Sequence, residues 1–490
     1  MGKRKRSSQQ RSLPEWQRRT TQLICMADQG SSLRLEVEQF DIQGRDRSWN
    51  LFAQNFLSAN RPSFAALDVT PSLVADSDRI NLQLRPGGTI GAVPLRSPTT
   101  RKIIGGVVVQ PRFGWNDIGP LLHQIGWTAS PQLLALPLVP GAAKEVPPWV
   151  LAGPILRRFR ALLDELTRGF RWCEEVREWP RGQILWGQYA RNLGRGMFHR
   201  LPCRFPELGP DQVLRGMLRW GIQAVHRSLV GWADVDPIAR RLAELALELL
   251  QQLSDAKPIA PGRSDIDRLM MSTGLPPVAL KRGLQALGWV IDERGLAGTA
   301  ESDGLSWCLP MYEVFERWVE HLARLWAHGF GGRVRSGRNH ETLVPIRWEH
   351  RGVRSLSSLV PDLVVEQGQR VWIIDSKYKA HFEELDDHRW AELGEELQSE
   401  HRHDVHQALA YAATRDAAQI TTVLAYPMRL ATWQRLADRN RTVTTATIAA
   451  GSREVRVALA GVPIQTPETG FAHALVQAWD VLKHADAAWE

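Results

Sequence analysis

The run Val371-Trp372-Ile373-Ile374 is apolar without a break and ends in Asp375-Ser376-Lys377. An unbroken apolar run of this length, rich in β-branched residues, marks a buried strand. Leu363-Val364-Val365 upstream is a second short strand, and Glu366-Gln367-Gly368-Gln369 is the polar turn between them. Side chains alternate along a strand, so Asp375 and Lys377 share a face. Closing the hairpin returns Asp362, of the pair Pro361-Asp362, towards Asp375. Two carboxylates and an ammonium then converge at the end of a buried hairpin. Burying carboxylates without a partner is costly, so the cluster calls for a cation. A hard divalent ion with oxygen ligands answers that need, with Mg²⁺ the natural choice and Mn²⁺ a substitute. A lysine beside such an ion can orient a water or offset charge on a phosphorane. That is equipment for hydrolysing a phosphodiester, although a strand ending with an Asp and a Lys in solvent would show the same short pattern.

Two flanking segments read as helices. In Met311–Trp326 the apolar residues Met311, Val314, Phe315, Trp318, Val319, Leu322, Leu325 and Trp326 recur in three- and four-residue steps behind Pro310. Glu316 borders this stripe and can face the acid cluster, whereas Glu313 and Glu320 read as solvated surface acids. Downstream, Asp404, Gln407 and Tyr411 fall on one face of a helix over 403–413 whose alanines permit close packing on a sheet. A Gln and a Tyr hydroxyl there can bind a phosphate or hold the lysine. The alternative is a capped amphipathic helix with a buried tyrosine.

Taken together, these segments resemble the PD-(D/E)xK nuclease superfamily, and within it the McrC proteins, nuclease subunits of modified-cytosine restriction systems. The resemblance lies in FERW around Glu316, LVPDLVV around Asp362, IIDSKYK around Lys377 and DVHQALAYA around Gln407, in that order. It implies an α/β chain with a C-terminal PD-(D/E)xK restriction-endonuclease-like core. It makes Asp362 and Asp375 metal ligands and Lys377 the catalytic lysine. Glu316 is then the acid of the first core helix, acting on metal or water, and Gln407 and Tyr411 are a QxxxY extension of the site. The Ser376 carbonyl is expected to join the metal shell. Lys379 is expected to lie beyond the metal and to contact a phosphate at most. The resemblance further implies a partner, an McrB-like ring-forming AAA+ NTPase, which supplies target recognition and translocation while the N-terminal part of this chain docks into the ring. The chain has no G-x-x-x-x-G-K-[S/T] phosphate loop and is not itself that motor.

A length of 490 residues accommodates two to four domains. The net charge of +8 suits a polyanion such as double-stranded DNA. Arginine forks at Arg157-Arg158-Phe159-Arg160, and at Arg333, Arg335 and Arg338 just before the hairpin, suit phosphates. Cys25, Cys173, Cys203 and Cys308 are scattered singly, which indicates neither a zinc ribbon nor a disulfide framework and fits a reducing cytosol. No stretch approaches twenty apolar residues and the start lacks a signal-peptide core, so the expectation is a cytoplasmic protein with no membrane partner. His401, His403 and His406 lack the spacing of a helical zinc pair and mark the start of the Gln407 helix near the rim of the site.

Along the chain, residues 1–30 read as a basic disordered tail. Residues 31–140 read as a β-rich, partner-docking domain in which short alternating strands suggest a small barrel or sandwich. A helix from Trp115 is expected to be capped by Asn116 or Asp117. Pro137 to Pro148 is a linker. Residues 149–300 read as a helical connector. Within it, 265–296 is either a winged-helix unit presenting Lys281 and Arg282 to DNA or two packing helices. Residues 301–490 are the nuclease domain, continued by strands over 421–426, 443–448 and 454–459 and closed by a helix over 472–482. Two other functions fit the same chain. One is a stand-alone endonuclease that recognises its own site; the other is a non-enzymatic adaptor that activates an NTPase.

Overall fold

The computed structural model describes residues 22–35, 46–76, 79–98, 100–142, 145–166, 169–209, 211–272, 278–292, 304–349, 355–379, 382, 392–450, 453–465 and 471–483. The fold is mixed α/β. It divides into two compact units, one formed by Met1–Pro147 with Ser302–Glu490 and the other by Pro148–Glu301.

The N-terminal strands are β1 (Gln22–Ala27), β2 (Leu33–Leu35), β3 (Val69–Asp76), β4 (Arg79–Pro86), β5 (Thr89–Arg96), β6 (Ile103–Gln110) and β7 (Gln132–Leu133). These strands lie in two sheets, ordered β2-β4-β3 and β1-β6-β5 with further strands beyond β5. Helix α1 (Asp46–Ala66) packs on strands of both. It was hidden in a segment read as β-rich, because Pro62 and several polar residues interrupt its pattern. Its buried residues Ala53, Phe56, Asn60 and Phe64 nevertheless keep the helical step. Helix α2 (Trp115–Gln124) starts after Gly114 with no side-chain cap, so neither Asn116 nor Asp117 caps it. Asp117 instead accepts a hydrogen bond from Gln465.

The second unit contains α3 (Trp149–Glu165), β8 (Gly169–Arg177), β9 (Gln183–Ile184), α4 (Trp186–Leu193), β10 (Leu201–Gly209), α5 (Gln212–Val230), α6 (Pro237–Gln252), α7 (Arg263–Ser272) and α8 (Val278–Asp292). Asp211 and Asp236 cap α5 and α6 through side-chain oxygens. The region expected to be helical also carries an antiparallel sheet, ordered β8-β10-β9. Around it, α4 buries no residue, and Trp179, Trp186 and Phe198 are exposed. Helix α8 packs its apolar face on α3 and leaves Lys281 and Arg282 exposed. The wing expected after Trp289 falls on 293–303, outside the described residues.

The chain re-enters the first unit at β11 (Trp307–Pro310), which inserts between β5 and β7 and completes a five-stranded sheet. Helix α9 (Met311–His328) follows at once and buries Val314, Phe315, Trp318, Leu322 and Trp326. Then come β12 (Arg333–Ser336), β13 (Val344–Pro345), β14 (Ser358–Leu359), β15 (Leu363–Gln367), β16 (Arg370–Ser376), α10 (Glu395–Ala413), β17 (Gln419–Met428), α11 (Leu430–Ala437), β18 (Val443–Ala450), β19 (Arg453–Pro463) and α12 (Phe471–Ala478). A six-stranded sheet runs β12-β15-β16-β17-β19-β18. β16 lies antiparallel to β15 and parallel to β17, which buries it between neighbours and accounts for its unbroken apolar run. At its start Trp372 meets Trp326 and Phe330 edge-on or tilted, and its indole N–H donates to the Leu482 carbonyl at 2.9 Å. Its other end delivers Asp375.

Where β11 crosses β5 the backbones touch. Gly91 has φ of 153°, and a Cβ there would lie 2.2 Å from the Trp307 carbonyl oxygen. Gly91→Ala should therefore lower the unfolding free energy by about 2–3 kcal/mol. The expected readout is a lower denaturant midpoint with an unchanged slope.

Candidate active site

The register of the hairpin assembles the acids. Leu363 pairs with Ile374, so the residues just beyond, Asp362 and Asp375, stand together at the mouth of the hairpin. The Ser376 N–H and hydroxyl both donate to Asp362 Oδ2, at 2.8 and 2.6 Å. The Ser376 side chain and amide thus fix the first acid. The approach to Asp362 is tight. The Gly337 N–H donates to the Asp362 carbonyl at 2.8 Å, and a Cβ on Gly337 would meet the Pro361 oxygen at 2.5 Å.

Asp375 is 3% exposed. Its Oδ2 lies 2.7 Å from Lys377 Nζ, as strand alternation requires. Lys377 Nζ also donates to Gln407 Oε1 at 2.7 Å, and Gln407 Nε2 donates to the Tyr411 hydroxyl at 2.7 Å. The helical face of Asp404, Gln407 and Tyr411 is thus turned to the strand that carries the lysine. Asp404 holds Lys379 instead, with contacts of 3.3 and 3.4 Å. Glu400 adds a 3.3 Å ion pair to the same ammonium. Lys379 is thereby held on α10, one turn before the Lys377 partner. Asp404 is buried and also accepts from the Tyr426 hydroxyl at 3.2 Å, while His401 lies beside the same hydroxyl at 3.4 Å.

Glu316 enters from α9. Arg338 reaches it at 3.3 Å and also pairs with Glu320, which Arg324 contacts from the next turn. Glu320 is therefore no solvated acid; only 13% of its side chain is exposed. The arginine run ahead of the hairpin is likewise engaged internally, with Arg335 on Glu366 at 3.1 Å and Arg338 on the two glutamates.

The electrostatics show an excess of negative charge. Burial, and then the neighbouring Asp362, push Asp375 up to about 6 against the pull of Lys377. Burial and Asp362 push Glu316 up to about 7, with Arg338 opposing. Burial, followed by Asp375, lifts Tyr411 to about 12, so its hydroxyl stays protonated. Buried Asp375 Oδ2 has no aligned hydrogen-bond donor, although the ammonium is close. Asp375 and Glu316, raised by burial and then by Asp362, with Asp375 Oδ2 lacking an aligned donor, make a donor set that a hard cation would stabilise. Among the described residues no group of three or more His, Cys, Asp and Glu could hold a metal by itself. An ion on Asp362 and Asp375 would therefore complete its shell with water and substrate oxygens, the habit of Mg²⁺. No helix among the described residues is long and apolar enough to cross a membrane.

Residues 155–427 match the family described as McrBC 5-methylcytosine restriction system component. Among solved structures, the chain is similar to one in a refined half-complex from a tetradecameric assembly of Thermococcus gammatolerans McrB AAA+ hexamers with bound McrC. That match has 12% identity, covers 94% of this chain and 100% of the other, and has a TM-score of 0.41. A second similarity is to a cryo-EM structure of the Thermococcus gammatolerans McrBC complex, with 12% identity over 62% of this chain and 88% of the other and a TM-score of 0.27. No curated protein matches the chain.

The raised acids predict how metal-free stability varies with pH. An acid whose folded pKa lies above its unfolded value favours the fold below the unfolded pKa, and that contribution is lost as pH rises through the folded pKa. For Asp375 and Glu316 the window runs from about pH 4 to the folded values of about 6 and 7. Melting temperature without divalent ions should fall across this window. Glu316→Gln should remove part of the fall, on the order of 2 kcal/mol after solvent screening. Thermal unfolding of both proteins at pH 5 and pH 8 checks it, and identical pH profiles would count against the assignment.

Proposed function

The chain is a McrC-like member of the McrBC 5-methylcytosine restriction system component family, and from that premise we propose that it is the DNA-cutting subunit, a Mg²⁺-dependent endonuclease with a PD-(D/E)xK core. The observation that carries this reading is the set Asp362, Asp375 and Lys377, closed by Gln407 and Tyr411. Asp362 and Asp375 would hold the ion, and Glu316 lies near enough to Asp362 to feel its charge. When bound, such an ion polarises a phosphodiester and acidifies an attached water.

The chain's own residues do the rest. Gln407 accepts from Lys377 Nζ and the Asp375 carboxylate lies 2.7 Å from the same ammonium, so of its three protons one is left for a further acceptor. That proton is placed to orient the attacking water or to donate to a phosphate oxygen as charge develops there. Tyr411 keeps the Gln407 amide from flipping by accepting from its Nε2. Glu316, raised to about 7, is poised to exchange a proton with water near neutral pH.

Double-stranded DNA is the proposed substrate, and an McrB-like AAA+ NTPase ring the proposed partner. Membership of a family of restriction-system components accords with such a partner. The module around β8 and β10 offers a face for it, because Trp179, Trp186 and Phe198 are exposed by 81%, 67% and 65%. Exposed large aromatic residues are enriched at protein interaction sites.

In a plasmid-cleavage assay with the co-expressed partner, GTP or ATP and Mg²⁺, Asp375→Ala and Lys377→Ala should each slow cutting by about 10²–10³-fold or more. Folding and assembly should persist, and EDTA should abolish the wild-type activity. Undiminished cutting by both variants would defeat the reading. Replacing Trp179, Trp186 and Phe198 together with alanine should weaken association with the partner by about 2 kcal/mol or more at unchanged melting temperature. Wild-type affinity in a titration of the two proteins would remove that face from consideration.

A further inference from the structure

Tyr378 follows Lys377 directly, faces away from the acids and is 5% exposed. The residues that hold it come from the start of the chain. Its hydroxyl donates to Asp28 Oδ2 at 2.8 Å, and its carbonyl accepts from Gln29 Nε2 at 2.5 Å. The Arg112 guanidinium lies 4.7 Å over its ring, and Phe113 and Phe315 pack around that ring with centroids 6.4 and 6.1 Å away. The holders are themselves tied together. Asp28, fully buried just past β1, accepts from the Arg112 backbone N–H and donates its own N–H to the Gln110 carbonyl at 2.9 Å. Arg112 Nη1 donates to Gln29 Oε1 at 2.9 Å. Gln29 adopts φ of 50°, a left-handed conformation that a non-glycine residue keeps only where its surroundings enforce it.

The consequence falls on the two lysines. The Lys377 N–H donates to the Ala425 carbonyl at 2.8 Å, and the Lys379 N–H donates back to the Lys377 carbonyl at 2.8 Å. The chain therefore turns sharply at Tyr378. One lysine goes to Gln407 and the other to Asp404, three residues earlier on α10. We propose that Tyr378 is a positioning residue, and that Asp28, Gln29 and Arg112 act through it to set Lys377, so the N-terminal segment governs the competence of the site. This rests on the phosphodiesterase reading above. Burying a carboxylate here is unfavourable, and burial is the main reason the Asp28 pKa is raised. A phenylalanine on an apolar floor would pack as well. What the polar lock adds is a single position for the turn, and an error of about 1 Å at a catalytic group can cost on the order of 10²-fold in rate.

The test uses the full chain with its partner. Tyr378→Phe and Asp28→Ala should each lower kcat about 10–100-fold, with KM for DNA changed less than about twofold. The double variant should be no worse than either single one. Asp28→Asn, which keeps an acceptor for Arg112, should restore most of the rate. Wild-type kcat in Tyr378→Phe and Asp28→Ala, alongside loss of cutting in Lys377→Ala, would overturn the proposal while leaving the nuclease reading intact. If the wild type itself does not cut, amide exchange still decides the matter. In Asp28→Ala the amides of Lys377 and Lys379 should exchange at least about 10-fold faster while those of β15 do not change. Unchanged exchange at both lysines would overturn the lock.

Discussion

Asp375 is held almost out of water at the end of an apolar strand, and the surrounding structure exists to make that tolerable. The strand has no choice about where it ends. Trp372 is anchored by its indole N–H and by the rings of Trp326 and Phe330 at one end, and parallel pairing with β17 runs its full length. The carboxylate then needs positive charge, and the Lys377 ammonium is close. Burial first, and then the charge of Asp362, push Asp375 and Glu316 upward against the pull of Lys377 and Arg338. Such a site accords with the cation proposed for it.

The parts of this arrangement that could be read in the sequence are those set by local periodicity. The two strands of the hairpin, the stripe on α9 and the shared face of Gln407 and Tyr411 all follow from spacing along one element. The hairpin closure that joins Asp362 to Asp375 follows from a single short turn. What spacing cannot reveal is pairing between distant segments. β11 is four residues long and its place in the N-terminal sheet depends on β5, more than two hundred positions earlier. The Asp28–Tyr378 bond spans 350 residues, and neither residue stands out in its own neighbourhood. The sheet around β10 is hard to read for another reason: residues 173–177 of β8 include no buried side chain, so the alternation that marks a strand is weak there.

Charge was the most misleading local signal. Arg333, Arg335 and Arg338 precede an acid-rich hairpin and look like a phosphate clamp, yet two of them are taken by glutamates. Glu320 looked solvent-facing because it lies off the apolar stripe, but Arg338 folds over it from the turn after β12. Long side chains reach across several residues, so their partners are decided by tertiary geometry rather than by the face of the helix that bears them.

This bears on how the first unit works as a whole. The strand that ends in Asp375 and Lys377 is braced on one side by α10 and continues directly into a residue locked by the end of β1. Each brace fixes one coordinate of Lys377: Gln407 sets where the ammonium points, and Tyr378 sets where its backbone turns. A lysine has four rotatable side-chain bonds and would otherwise sample many positions. Immobilising it from both the side chain and the main chain removes that freedom before substrate arrives, which is the form of preorganisation that positions charge without cost during reaction. Because one of the two braces is made by residues 28, 29 and 112, anything that reshapes the N-terminal sheet acts on the lysine through a rigid and short path.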